Sequence, residues 1–161
     1  MDGNGTLFWS NGNKYIGHLV SNKYHGYGKL YYNNSDVYNG SFVHGKKSGI
    51  GTYTTSTSTY IGEFFNDCMH GNGQYFVNNT LHYEGSFNDN FRHGYGVSYY
   101  EVDAMSGKYV GYFKDDKMHG SGTFYYQNGD EYKGEYRDGR RYGRGRMKYA
   151  NGKIVNMDFT K

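Results

Sequence analysis

The chain has 161 residues and a formal net charge of +3, with 26 glycines beside 21 tyrosines and 10 phenylalanines and no proline. So much glycine is typical of flexible chains, but flexible chains are poor in aromatic residues, so the composition excludes disorder and predicts a regular structure that spaces glycines and rings. Its one cysteine, Cys68, cannot form an internal disulfide. No stretch approaches the ~20 apolar residues that span a bilayer, and the N-terminus lacks the pattern of a secretory signal. We therefore expect a single cytoplasmic domain.

A repeat of about 23 residues organises the whole sequence. Residues 1–14 form a half-repeat, and six copies of Tyr-x-Gly-x-(aromatic or Leu) then start at steps of 23, 22, 23, 26 and 23 residues. Each copy carries Gly-x-Gly eleven residues after its tyrosine. The tyrosine and glycine that open the six repeats are Tyr15 and Gly17, Tyr38 and Gly40, Tyr60 and Gly62, Tyr83 and Gly85, Tyr109 and Gly111, and Tyr132 and Gly134.

Within each repeat the side chains alternate with a period of two, which indicates β-strands. Residues 109–113 and 120–126 predict two strands, and the polar segment Lys114–His119 predicts the turn between them. A second turn is expected at Asn128-Gly129. The one long step predicts a bulged loop within Glu101–Lys108, and residues 155–161 predict a degenerate capping strand.

Glycines that alternate with large rings on one face favour rings stacked over bare backbone. We expect the ring of one hairpin to lie on the glycines of the next, so that a run of hairpins shares one aromatic spine. The predicted fold is all-β: an elongated single-layer antiparallel β-solenoid of stacked hairpins.

The pattern Tyr-x-Gly-x-Phe followed by His-Gly-x-Gly-x-aromatic resembles the MORN (membrane occupation and recognition nexus) repeat over essentially the whole chain. Leu19, Ser98 and the final strand depart from it. The resemblance implies a non-catalytic scaffold or adaptor that binds a helix or extended segment of a partner protein along an elongated groove. It also implies a place at the cytoskeleton, cilium, cell cortex or membrane. Open strand edges at both ends would also allow a homo-dimer.

No enzyme or cofactor is expected, because the sequence lacks a nucleophile motif and a phosphate-binding loop. Four histidines directly precede a Gly-x-Gly, and equivalent residues on successive repeats should lie ~10 Å apart, too far for one metal ion. The remaining metal hypothesis is a zinc site shared across a dimer by Cys68 and His70, set against an ordinary structural role in the turns.

A second set of rings falls on the face opposite the spine by strand parity. These rings predict a partner-binding surface, with packing on the turns as the alternative. The set consists of Phe8, Tyr31, Phe76, Tyr99 and Tyr125.

The charge is uneven along the chain. Residues 132–161 hold nine Lys and Arg against three acids, net +6, whereas residues 1–131 are net −3. This basic end suits an anionic partner such as a phosphoinositide surface, with a solvated, solubilising face as the alternative. Nucleic acid is the least expected partner, because the rings are committed to the spine. The candidate anion-binding residues are Arg137, Arg140, Arg141, Arg144, Arg146 and Lys148.

Overall fold

The structure, a computed structural model, describes residues 2–101 and 106–160. Their regular elements are fourteen β-strands, with no helix among the described residues. The strands are β1 (Gly3–Phe8), β2 (Lys14–Val20), β3 (Lys23–Tyr31), β4 (Val37–Val43), β5 (Lys46–Thr54), β6 (Ser58–Phe65), β7 (Cys68–Val77), β8 (Thr80–Asn88), β9 (Phe91–Tyr100), β10 (Gly107–Lys114), β11 (Lys117–Tyr126), β12 (Glu131–Arg137), β13 (Arg140–Lys148) and β14 (Ile154–Asp158).

The strands lie in the sheet in chain order, from β1 to β14, and neighbouring strands pair antiparallel. The all-β, antiparallel prediction is therefore confirmed. Contacts divide the chain into two units, each described by itself below. Unit 1 comprises Met1–Leu81 and Asn88–Asn90, and unit 2 comprises His82–Phe87 and Phe91–Lys161.

The turns inside the hairpins are tighter than the sequence predicted. The segment Lys114–His119 was expected to be a turn, but β10 continues through Lys114 and β11 begins at Lys117. The two turn residues, Asp115 and Asp116, have φ of 47° and 67°. Two-residue turns with positive φ match the twist of the strands, and Asn, Asp and Gly tolerate that backbone. The other hairpins turn the same way, at Ser21-Asn22, His44-Gly45, Asn66-Asp67, Asp89-Asn90 and Asp138-Gly139.

The second turn lies at its predicted position, and β14 (Ile154–Asp158) covers the first part of the capping strand predicted over residues 155–161. Asn128-Gly129 lies between β11 and β12, and the Gly129 amide donates to the Tyr126 carbonyl at 3.0 Å. In β14, Val155 pairs with Met147 and Met157 pairs with Gly145, which are the residues that Tyr132 and Gly134 pair with from the other side. The bulged loop predicted within Glu101–Lys108 falls in part on residues 102–105, which lie outside the described residues, as does residue 161.

The two glycines of each Gly-x-Gly do different things. The first has a φ between 58° and 91° in every repeat. In the hairpins β2–β3, β4–β5 and β10–β11 it lies at a β-bulge, where three residues of one strand face one residue of the other. For example, Gly111 pairs with Gly122 and Phe113 with Met118, leaving Gly120 in the bulge. Glycine suits this place because it adopts positive φ without strain. The second glycine lies under a tyrosine ring.

Each repeat tyrosine covers the glycines of its own hairpin. Tyr15, with no exposed surface, packs on Gly17 of its own strand and on Gly28 of the paired strand, where an added Cβ would collide with the ring. The expectation that a ring covers the glycines of the next hairpin was wrong. The ring runs along its own strand, since its hydroxyl donates to the carbonyl of the third residue onward, 2.8 Å away at His18.

Contacts between repeats come from ring edges instead. Tyr38 meets Phe64 of the next repeat edge to face, with centroids 5.0 Å apart, and Tyr109 meets Tyr136 in the same way at 5.0 Å. Such geometry aligns the positive edge of one ring with the negative face of another. The six repeat tyrosines are at most 1% exposed, so these contacts form the core.

In four repeats a further side chain lies over the rings, two residues before the first glycine of Gly-x-Gly: Tyr24, Lys47, Arg92 and Arg141. Lys47 lies over the rings of Tyr53 and Phe64 at 4.8 and 5.5 Å, and its burial lowers its pKa. In unit 2, the guanidinium of Arg92 lies 5.1 Å from the Phe113 ring and binds Asp116 at 3.1 Å. The cationic residues at this position therefore stabilise the core through cation–π contacts.

Candidate functional site

Two faces of each hairpin differ in exposure. The tyrosine face carries the six buried repeat tyrosines, and the outer face carries the side chains that alternate with them. In unit 1 the outer face shows Ile16, Tyr27, Ile50 and Ile61, all exposed. Exposed apolar side chains on one face are candidates for a partner-binding surface.

The predicted ring row is interleaved with lysines. In unit 1, Phe8 pairs with Lys14, and Lys14 pairs in turn with Tyr31. The Lys14 ammonium lies 5.7 and 5.5 Å from the two ring centroids, within cation–π range. Phe76 lies in the same register, opposite Thr59. The row in unit 1 is therefore a mixed ladder rather than a continuous aromatic strip.

The same register recurs in unit 2. Tyr99 and Tyr125 each pair with Lys108, whose ammonium lies 5.5 Å from the Tyr125 centroid. The Tyr99 hydroxyl donates to Glu84 Oε1 at 3.0 Å, and this bond raises the Tyr99 pKa. Phe8 is 74% exposed and Tyr125 39%, whereas the other three predicted rings are intermediate.

Sequence reasoning missed several outer-face residues that are more exposed than most of the predicted row. They lie at the centre of Gly-x-Gly or three residues after the repeat tyrosine: Tyr27 is 64% exposed, Ile50 63%, Tyr95 54% and Tyr112 52%. The signal was present in the sequence, because a residue between two glycines has the opposite parity to the second glycine under the ring. The bulge at the first glycine leaves this central side chain projecting.

In unit 2, Tyr95 and Tyr112 form the wall of a groove of about 280 Å³. They are paired residues of β9 and β10, and their rings meet edge to face with centroids 5.4 Å apart. The glycines of the tyrosine face have no side chain on either side of the sheet, so Gly111, Gly122 and Gly134 also line this groove.

The far side of the groove is polar. Lys133 and Glu135 of β12 line it, and Ser121 Oγ donates to Glu135 Oε1 at 2.7 Å. Val110 and Thr123 lie between the rings and these charges. The site therefore offers two ring surfaces, a floor of glycine backbone and one charge of each sign.

The six predicted anion-binding residues do not form one cluster. Arg141 lies over the Tyr132 ring at 4.2 Å and donates to the Tyr126 hydroxyl, so it belongs to the tyrosine face. Arg137 stacks on Tyr142 at 3.7 Å. Arg140 is exposed beside the β12–β13 turn.

The other three share the outer face of β13. Arg144, Arg146 and Lys148 alternate along the strand and are all exposed, and Arg146 pairs with the exposed Lys133. A groove of about 470 Å³ runs beside Arg144 and Arg146 to Met157 and Asp158 of β14. These four cations, Lys133, Arg144, Arg146 and Lys148, are named the basic patch.

Cys68 and His70 lie on β7, close to the β6–β7 turn. Cys68 is a half-buried free thiol that pairs with Phe65, and the His70 ring lies 5.7 Å from the Phe65 ring. Within residues 2–101 and 106–160, no three His, Cys, Asp or Glu side chains are grouped to hold a metal ion. The dimer-shared zinc site stays a prediction. No element in the described part of the chain is a helix long and apolar enough to cross a membrane.

Comparisons with known proteins agree with this architecture. The chain is similar in fold to the TCP domain of SAS-4 (dCPAP) from Drosophila melanogaster, solved in complex with a proline-rich motif of Ana2 (dSTIL). That likeness has a TM-score of 0.51 and 11% identity, and it covers 96% of this chain and 88% of the other. Comparison with curated proteins gave no match. The MORN repeat model matches residues 1–14, 15–37, 38–59, 60–80, 83–102, 109–131 and 132–154, so the chain belongs to the MORN repeat family.

Proposed function

We propose that this protein is a non-catalytic scaffold that binds an extended, proline-containing segment of a partner protein in the Tyr95–Tyr112 groove of unit 2. The observation that carries the proposal is the exposed pair of rings above a floor of glycine backbone. Large ring surfaces that stay half exposed in the free protein are typical of the anchoring residues of interfaces.

The shape of the groove suits a polyproline II helix. Such a segment has three residues per turn and no internal hydrogen bonds, so its prolines pack between aromatic rings while its carbonyls accept from donors nearby. The Tyr95 and Tyr112 rings provide the packing surface, and Lys133 at the far rim provides a donor. An amphipathic α-helix of a partner would need a wider apolar groove than this one, which is bounded on one side by Lys133 and Glu135.

The solved structural neighbour supports this choice of ligand, because it was captured with a proline-rich motif of its partner. With 11% identity, the likeness carries the fold, so the main support for this ligand class is the groove itself.

The proposal is tested with a panel of fluorescein-labelled proline-rich peptides, each paired with a version in which alanine replaces proline. Tyr95→Ala and Tyr112→Ala should each weaken binding of the best peptide about tenfold or more, since truncation of a hot-spot residue costs ~2 kcal/mol or more and ~1.4 kcal/mol is tenfold. Tyr27→Ala, which removes a still more exposed outer-face ring from unit 1, is the matched control and should leave binding unchanged. Equal loss in all three variants, or equal binding of the alanine peptides, contradicts the proposal.

A second function is favoured by the basic patch: binding to an anionic lipid surface. Each cation near such a surface contributes ~1 kcal/mol, and the attraction falls off within a Debye length. Reversing Arg144, Arg146 and Lys148 to Glu should abolish sedimentation with phosphoinositide-containing vesicles, whereas reversing Arg140 alone should weaken it little. Vesicle binding that survives the triple reversal, or that is insensitive to salt, rules this function out.

The cytoplasmic location near cytoskeleton, cilium or membrane and the homo-dimer stay predictions. Fluorescence microscopy of the tagged full chain tests the first, and light scattering on the purified chain tests the second.

A further inference from the structure

Two histidines from consecutive repeats lie next to each other in unit 1. His25 is on β3, directly before Gly26, and His44 is the first residue of the β4–β5 turn. Their ring centroids are 5.6 Å apart and the ring planes are inclined by 60°. Neither residue belongs to the groove or the basic patch.

The fold brings the same two positions together in unit 2, but with different chemistry. His93 Nδ1 lies 3.3 Å from Asp115 Oδ1, and His119 Nδ1 lies 3.8 Å from Asp138 Oδ1. In those repeats an imidazole faces a carboxylate, which is a complementary pair. Opposite His25 the carboxylate is replaced by a second imidazole, that of His44. Two neutral imidazoles stabilise each other little by themselves, but both can bind a cation that lies between their nitrogens.

The His25 side chain has an acceptor to offer. Its Nδ1 is buried and has no hydrogen-bond partner among the described residues. A buried nitrogen without a partner loses the free energy of a hydrogen bond, and coordination of a metal ion restores it. Among the described residues, His70 Nδ1 and His119 Nδ1 also lack a hydrogen-bond partner. The His70 ring lies against Phe65 and the His119 ring faces the Asp138 carboxylate, so neither faces a second imidazole.

The spacing of the rings fits one shared ion. With bonds of ~2.0–2.1 Å from nitrogen to metal, the ion is about 3.2 Å from each ring centroid, and the 5.6 Å separation gives a nitrogen–metal–nitrogen angle of roughly 120°. This angle lies close to what zinc accepts, and imidazole is a good ligand for zinc, copper and nickel.

The backbone around both rings is held in place. The Gly45 amide, next to His44, donates to the Tyr24 carbonyl, next to His25, at 2.8 Å. His44 has a φ of 50°, a conformation that histidine tolerates better than most residues. Both ligands are therefore positioned before an ion arrives, which lowers the entropy lost on binding.

We propose that His25 and His44 form a two-histidine site for a divalent zinc, copper or nickel ion, with water completing the coordination. The bound ion links the first two full repeats of unit 1. It is separate from the zinc site predicted for Cys68 and His70, because both ligands come from one chain.

Calorimetric titration of Zn²⁺ into the tag-free full chain at pH 7.5 tests the site. A Cys68→Ser background removes the thiol as a competing ligand. We expect saturable binding of one ion, weakened at least about tenfold by His25→Ala and by His44→Asn, because even the loss of an outer-shell group costs 10–100-fold. The His44→Asn variant keeps a residue suited to positive φ, and His70→Ala is the matched control that should bind normally.

A second measurement locates the ion. Substoichiometric Cu²⁺ should broaden the amide signals of residues 24–26 and 43–45 in a nitrogen–proton correlation spectrum, since a paramagnetic ion acts on nearby nuclei. The proposal is overturned if no saturable Zn²⁺ binding occurs, if His44→Asn binds as well as the parent, or if broadening centres on other residues.

Discussion

Gly62→Ala tests the claim that a bare glycine backbone is what allows the tyrosine rings to be buried. An added Cβ at this position would lie 2.6 Å from the Tyr60 hydroxyl oxygen, from the Asn72 carbonyl oxygen and from Gly73 Cα, whereas ordinary contacts are 3.4–4 Å. Two of these three atoms belong to backbone and cannot rotate away. The strand or the ring must therefore move by about 1 Å to accept the methyl group.

The magnitude follows from what that movement disrupts. Overpacking costs about 1–3 kcal/mol, and displacing the Tyr60 hydroxyl from the Glu63 carbonyl, now 2.9 Å away, loses about 1 kcal/mol more. We expect Gly62→Ala to lower the free energy of unfolding by about 2–4 kcal/mol. Gly143→Ala is the control: no atom lies within 4 Å of its Cβ, and its φ of 61° alone costs about 1 kcal/mol.

Urea unfolding, followed by circular dichroism, measures both variants, with the slope checked because repeat proteins can unfold in more than one step. In a Tyr60→Phe background the cost of Gly62→Ala should shrink, since one of the three colliding atoms is gone. The reasoning is refuted if Gly62→Ala is no more destabilising than Gly143→Ala, or if removing the hydroxyl leaves its cost unchanged.

Three further outcomes follow from the buried rings. Burial raises the pKa of Tyr83 to about 12 from an ordinary 10.0, so the folded state favours the neutral phenol. The free energy of unfolding should therefore stay constant up to pH 10 and fall between pH 10 and 12, and ultraviolet absorbance should show ionisation of the phenol only at high pH. A midpoint of denaturation that stays constant between pH 10 and 12 contradicts this. Tyr109→Phe should cost about 1 kcal/mol in urea unfolding, because the Tyr112 carbonyl loses its hydrogen bond; a neutral effect would show that the bond is replaced by water. Arg92→Ala should lower the free energy of unfolding by about 1–2 kcal/mol, because contacts with the Phe113 ring and Asp116 are lost. Arg92→Met should lower it less, since a methionine, Met118, occupies the equivalent position one repeat later. Equal losses in the two variants would assign the effect to charge alone.

The sequence was a good guide to the strands and their faces because the 23-residue period and the two-residue alternation are local signals. It placed Tyr15 and Gly17 on the same face, and Val155 and Met157 in the register of a seventh first strand. It could not tell which hairpin a ring covers, since both hairpins offer glycines at the same parity. In five repeats the ring hydroxyl donates to the carbonyl of the third residue along its own strand. The Tyr132 ring lies over Gly134 and Gly145 in the same way, although its hydroxyl has no hydrogen-bond partner among the described residues.

The candidate sites were less predictable, because they depend on where long side chains point. Arg141 and Arg144 look alike in a count of charge, but the first lies on Tyr132 and the second faces solvent. They are three residues apart on β13, a strand bulged at Gly143, and therefore have opposite parity, which a count of charge along the chain does not use. The exposure of Tyr95 and Tyr112 depends on the same bulges.

Backbone hydrogen bonds join the hairpin turns to the repeat before them, and they bear on how a chain of this kind can gain or lose repeats. The amides of Gly45, Asp67 and Gly139 donate to carbonyls 20 or 21 residues earlier, at Tyr24, Lys47 and Met118 respectively. Gain or loss of one whole repeat therefore restores the same bond at the new junction, whereas loss of part of a repeat leaves a turn amide without its acceptor.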